Sequence, residues 1–194
     1  MKKRRVLSVV LAASMFAMLL TGCGGGNQGS AEGSQAAAIG QGVAEAESCI
    51  KIGVSGTPDL DPAIVNTGSS LIAAINIYDT LIFPSNEADE GVIPRVAEDW
   101  TISEDGLTYT FNLKKGIKFH NGDELTASDV VYSMNRLLTI GEGYAYIFTS
   151  YVEPGTTVAV DDYTVEFHLK QAYGPFINAL VRLYILNEDE VKAN

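Results

Sequence analysis

From Ile50 onward the chain alternates between two hydrophobic periods, and each stretch predicts an element. Ile50-Lys51-Ile52-Gly53-Val54 has the two-residue period of a strand, and the turn-rich loop Gly56-Thr57-Pro58-Asp59-Leu60-Asp61-Pro62 follows it. Ser69 or Ser70 then caps a predicted helix to about Thr80, with Leu71, Ile75 and Tyr78 on one face. Thr101-Ile102-Ser103 and the run Leu107 to Leu113 flank Glu104-Asp105-Gly106, the signature of a hairpin. In its second strand Leu107, Tyr109, Phe111 and Leu113 face a core, while Thr108, Thr110 and Asn112 face water. Asn121-Gly122 marks a further tight turn.

The strongest helical pattern spans residues 127 to about 139. Thr126 stands at its cap, and Asp129 suits the exposed amides of the first turn. Val130, Met134, Leu137 and Leu138 form its apolar stripe, and Gly141 and Gly143 end it. A second hairpin joins Thr156–Val160 to Tyr163–Leu169 around Asp161-Asp162, with Tyr163, Val165, Phe167 and Leu169 inward. Pro175 to Arg182 reads as another short helix.

The N-terminus is patterned differently. Lys2, Lys3, Arg4 and Arg5 precede an apolar run from Val6 to Leu20, the layout of a secretory signal peptide and too short for a dependable membrane span. Its end, Leu20-Thr21-Gly22-Cys23, resembles the lipobox of bacterial lipoproteins, which implies cleavage before Cys23 and lipidation of its sulfur. Residues 24–48 are Gly, Ser, Gln, Ala and Glu with almost no large apolar group, so they are expected to form a flexible linker. The mature protein is therefore expected outside the cytoplasmic membrane, in the periplasmic space or at the cell surface, tethered by lipid alone.

Charge narrows the partners. The leader holds four positive charges and no acid, so its removal takes the formal net charge from −11 to −15. That balance excludes an electrostatic footprint for nucleic acid and gives anionic lipid no basic face to hold. With Cys23 consumed by the anchor, Cys49 has no intramolecular partner and reads as a free thiol at the end of the tether.

One long ordered series of residues resembles a known family. It runs through Asp61-Pro62, Tyr78-Asp79-Thr80-Leu81, and Ile93-Pro94-Arg95-Val96-Ala97-Glu98-Asp99-Trp100. It continues through Ser103 to Gly122, then Thr126-Ala127-Ser128-Asp129-Val130 and Ser133-Met134-Asn135-Arg136-Leu137. The series is similar to the peptide- and nickel-type (family 5) extracellular solute-binding proteins of ABC importers. The resemblance implies a two-lobed, class II periplasmic-binding-protein-like fold of mixed α/β class, present here as its N-terminal part. It divides the chain into residues 1–22 as signal peptide, 23–49 as anchored linker, 50–77 as the start of the large lobe and 78–186 as a smaller subdomain. Residues 187–194 are then a truncated end, with the second lobe missing. It further implies a monomer that binds short peptides and passes them to an ABC permease with its ATPase subunits, without cofactor and without catalysis.

In such relatives backbone near the first loop meets the ligand, so Thr57, Pro58, Asp59 and Leu60 are candidate contacts. A rigid turn built by Pro58 and Pro62 explains the same residues equally well. Tyr144, Tyr146, Phe148 and Tyr151 cluster after the main helix, and Tyr146 resembles an aromatic facing the cleft in peptide-binding relatives. Trp100 reads as a packing anchor beside the first hairpin. His120 and His168 are too far apart in pattern to make a metal site, although a metal-linked solute stays open as cargo. Asp59, Asp61, Asp161 and Asp162 all fall in turns and read as structural. The rival from another class is a lipoprotein hydrolase with its catalytic residues beyond Asn194, and a third reading is a surface module complete as it stands.

Overall fold

The structure is a computed structural model that describes residues 51–88 and 91–193. The expected signal peptide, Cys23, the linker and Cys49 lie outside the described residues.

The centre is a four-stranded antiparallel sheet whose strands lie in the order Ala97–Ile102, Thr108–Leu113, Thr164–His168, Thr157–Asp161. Strands β3 (Ala97–Ile102) and β4 (Thr108–Leu113) form the first expected hairpin, and β5 (Thr157–Asp161) and β6 (Thr164–His168) form the second. Strand β4 pairs with β6 in the register Tyr109↔Phe167 and Phe111↔Val165, which brings the inward rows of both hairpins onto one face. Tyr109, Phe111, Leu113, Val165 and Phe167 are all buried there. Phe111 meets Phe167 edge-on at 5.7 Å, and Phe167 meets Phe176 at 5.6 Å. Each such side chain taken from water contributes about 1.5–3 kcal/mol. Trp100 lies 5.9 Å from Phe111, half-buried against this core.

Helix α2 (Ala127–Ile140) packs its buried stripe of Val130, Met134, Leu137 and Leu138 against the sheet; α1 is the earlier helix Gly68–Ile77. The first turn of α2 closes as its sequence predicts, with the Thr126 N–H donating to Asp129 Oδ2 at 2.9 Å. Gly141 ends it in the left-handed region at φ +72°, donating to the Leu137 carbonyl. Two short helices follow in the chain, α3 (Ala145–Phe148) and α4 (Phe176–Ala179). Helix α4 tightens into a 3₁₀ turn over Leu180–Arg182, so the predicted Pro175–Arg182 helix is half α and half 3₁₀.

The last described segment returns to the start of the fold. Ile185 donates to the Asp79 carbonyl at 3.0 Å, and Thr80 bridges Tyr184. The Leu186 N–H donates to Ser133 Oγ at 2.9 Å, and the Glu188 N–H donates to Asp129 Oδ1 at 3.0 Å. These bonds set helix α5 (Glu188–Ala193) against α2.

The structure corrects two expectations. Lys51 to Val54 form no strand: they are exposed, and no described strand lies beside them to take up their backbone groups. Helix α1 is capped by Thr67, whose Oγ1 accepts from the Ser70 N–H at 3.1 Å; Ser69 and Ser70 sit inside the helix, buried. Its Leu71 and Tyr78 are half-buried, but Ile75 is exposed, because Ser69, Ser70 and Ala74 take the inward face. A small ribbon, β1 (Ile82–Pro84) with β2 (Val92–Pro94), is an addition that periodicity over three residues does not reveal.

Candidate functional site

The loop from Gly56 to Pro62 is held on its inner side and open on its outer side. Gly56 turns at φ +83°, and Pro58 and Pro62 restrict the backbone further. The Asp59 N–H donates to Ser70 Oγ at 2.9 Å, and Ser69 Oγ donates to the Ser55 carbonyl at 2.6 Å. The buried serines of α1 therefore serve as fasteners, which explains why two small polar residues take its inward face. Tyr78 Oη donates to the Leu60 carbonyl at 2.9 Å.

Asp61 is the best-held residue of the loop. Its Oδ1 accepts from the Ala63 N–H at 3.0 Å, closing an Asx-type turn. Arg136, on α2, donates Nη1 to Asp61 Oδ1 and Nη2 to Oδ2, each at 2.7 Å. The guanidinium bonding holds the Asp61 carboxyl below the ordinary carboxylate range, against the opposing effect of burial, and the Ala63 amide adds to the lowering. Asp61 is thus structural, as a turn residue should be, but its main partner was not legible from the sequence. Arg136 stands 75 residues away, on the half-buried flank of a helix whose apolar stripe draws the eye.

With its backbone tied down, the loop presents the side chains of Thr57, Asp59 and Leu60 to the outside, Leu60 at 53% exposure, with Pro58 half-buried. On the inner side, the cleft between Pro62, Arg136, Arg182 and Tyr184 amounts to about 10 Å³, the space of a single water.

Tyr146 belongs to the same neighbourhood. Val65, Ala74 and Tyr184 form a satellite hydrophobic cluster with Leu71, Tyr78 and Tyr144 packed on it. Tyr78 carries the loop on its hydroxyl, and its ring lies 6.2 Å from that of Tyr184. Tyr144 holds the Arg182 guanidinium over its ring at 5.0 Å and stands 6.5 Å from Tyr146. Burial pushes the hydroxyls of both Tyr78 and Tyr184 upward in pKa. Tyr146 itself is 70% exposed, a projecting aromatic and not a core residue. Of its sequence neighbours Phe148 is fully buried, and Tyr151 stacks on Tyr173 at 3.8 Å.

The two histidines lie elsewhere. His120 is exposed beside Lys118 at an open cleft of about 370 Å³ near the C-terminal end of α1. His168 is on the polar face of β6, 3.2 Å from Glu166. Among the described residues no three His, Cys, Asp or Glu side chains gather as a metal site.

A rigid loop with an exposed rim and a projecting tyrosine can bind, and comparison with known proteins says what kind of binder has this fold. Residues 91–193 match the model of the bacterial extracellular solute-binding proteins, family 5 Middle. The chain belongs to this family. It is 32% identical over 136 residues to di/tripeptide-binding protein 1 of Pseudomonas aeruginosa (strain UCBPP-PA14), covering 62% of this chain and 25% of that protein. It is 35% identical over 141 residues to the dipeptide-binding protein of Escherichia coli (strain K12), covering 63% and 26%. Among solved structures it matches the periplasmic binding protein DppA of Helicobacter pylori in complex with the peptide STSA, at TM-score 0.58 and 31% identity, covering 69% of this chain and 30% of that one. Each of these family 5 relatives is named as a binding protein, and none as an enzyme. The chain spans about a quarter of the length of the curated relatives it matches.

Proposed function

We propose that this family 5 protein is the lipid-anchored solute receptor of an ABC importer and that its cargo is short peptides. The observation that carries the reading is the loop: three exposed residues, Thr57, Asp59 and Leu60, around the half-buried Pro58, on a backbone fixed from behind by Ser70, Tyr78 and Arg136. Pre-fixed backbone costs little ordering entropy on binding, and an extended peptide is recognised chiefly through backbone hydrogen bonds. Tyr146 adds an exposed face for an apolar side chain with a hydroxyl for a polar one. The peptide names of the relatives support this cargo class over a metal-linked one.

Residues 50–77 would open the large lobe and residues 78–186 form the smaller subdomain. Lipid on Cys23 would keep the receptor near its permease, raising its effective concentration there. The receptor would act as a monomer, and transport energy would come from the ATPase subunits.

The experiment is a thermal-shift and calorimetric screen of the longest product of the gene against di- to pentapeptides. A bound peptide at a hundred times its Kd stabilises by about 2.7 kcal/mol, a clear rise in Tm. No shift with any peptide would remove peptides as cargo.

A further inference from the structure

We propose that Arg136 is a positioning residue for solute binding, fixing the candidate contact loop from the opposite side without touching the solute. The inference rests on the reading of residues 57–60 as solute contacts. Four features of the structure carry it. Both oxygens of Asp61 are engaged by two guanidinium nitrogens at 2.7 Å, a fork geometry that fixes orientation as well as distance. The pair is the best shielded Lys/Arg–carboxylate contact between separate segments among the described residues, with side-chain exposures of 22% and 35%. The comparable Arg95–Asp79 pair stands at 55% and 47%. Asp61 directly follows Leu60, so its carboxylate sets the path of the exposed residues before it, while the loop's other holds are single neutral hydrogen bonds.

Arg136 also comes from a long helix that is packed on the core. Helix α2 is closed at both ends and buried along Val130, Met134 and Leu137. A bidentate tie from such a helix fastens the loop to it. A lysine would supply the charge without the fork, and the orientation would be lost.

The test uses the longest product of the gene with Arg136→Met, Arg136→Lys, Asp61→Asn, Leu60→Ala and, as control, Arg95→Met. Three quantities are read: hydrogen exchange of segment 56–63, affinity for a peptide that the unaltered protein binds, and Tm. Arg136→Met is expected to speed exchange at the Asp59 and Ala63 amides and weaken peptide affinity about tenfold, the scale of one charge-assisted hydrogen-bonded pair. Arg136→Lys and Asp61→Asn should fall between, folded and with intermediate loosening, and Arg95→Met should change neither. Unchanged exchange in all three Arg136 and Asp61 variants overturns the proposal. So does a loosened loop with full affinity while Leu60→Ala weakens binding, a result that leaves the solute site itself standing. Full affinity in Arg136→Met and Leu60→Ala together overturns both the positioning role and the loop as the contact surface.

Discussion

Gly143 lies directly against Ala63: a Cβ placed on it would stand 2.7 Å from the Ala63 carbonyl oxygen and 3.1 Å from that of Val65. Its φ of +54° adds a second reason for glycine, since a side chain is strained there wherever it points. The turn between α2 and α3 therefore seats the end of the 56–62 loop by backbone approach as well as by the Arg136–Asp61 pair. Gly143→Ala is expected to destabilise by about 1–3 kcal/mol, from overpacking and an unfavourable φ together. Gly155, at φ +87° with open space around it, is the comparison: Gly155→Ala should cost less. Denaturant melts of the two variants measure the difference.

Phe167 joins both hairpins to the helical layer, touching Phe111 and Phe176 while fully buried. Phe167→Ala should cost about 3–5 kcal/mol, the range for a large core side chain that leaves a cavity. Trp100, half-buried at the edge of the same core, should cost less when replaced by Phe. Equilibrium unfolding checks both.

The parts of the fold that were legible in the sequence are those where one short segment carries its own signal. Tyr109-Thr110-Phe111-Asn112-Leu113 alternates cleanly because one face of β4 is core and the other wet, and the Thr126–Asp129 cap and Gly141 mark the limits of α2. The failures are contacts that no local pattern encodes. Ser69 and Ser70 look like caps, yet tertiary demand for small hydroxyls against the loop puts them inside α1. Lys51 to Val54 have strand periodicity, but no strand among the described residues lies beside them. At the candidate site, resemblance proposes the loop residues and Tyr146 as contacts, whereas the Asp61–Arg136 tie joins segments 75 residues apart and only coordinates reveal it.

Asp61 makes stability depend on pH in a defined direction. Its carboxyl is held below the ordinary value, first by Arg136, so the folded state favours the ionised form. The contribution is fully present above the unfolded value of about 4 and is lost as pH falls through the lower folded value. The carboxylate is about a third exposed, so the effect is discounted by solvent screening. The stability gap between the unaltered protein and Asp61→Asn should be constant from pH 5 to 8 and shrink below pH 4. Urea melts across that range measure it; a gap that widens on acidification would reverse the assignment.

The proposed lipid anchor rests on one sulfur, that of Cys23. Cys23→Ser should abolish incorporation of labelled palmitate and move the protein from the membrane fraction to the soluble one, leaving the melt of the folded domain unchanged. Cys49→Ser should change none of these.

Whether the exposed rim of the 57–60 loop and Tyr146 receive a peptide is decided by calorimetric titration of the longest gene product with di- to pentapeptides. Saturable one-to-one binding is expected, weakened about tenfold by Tyr146→Ala with no change in the ligand-free Tm, as for an exposed aromatic contact. Binding of no peptide, or peptide binding indifferent to both Tyr146→Ala and Leu60→Ala, would contradict it.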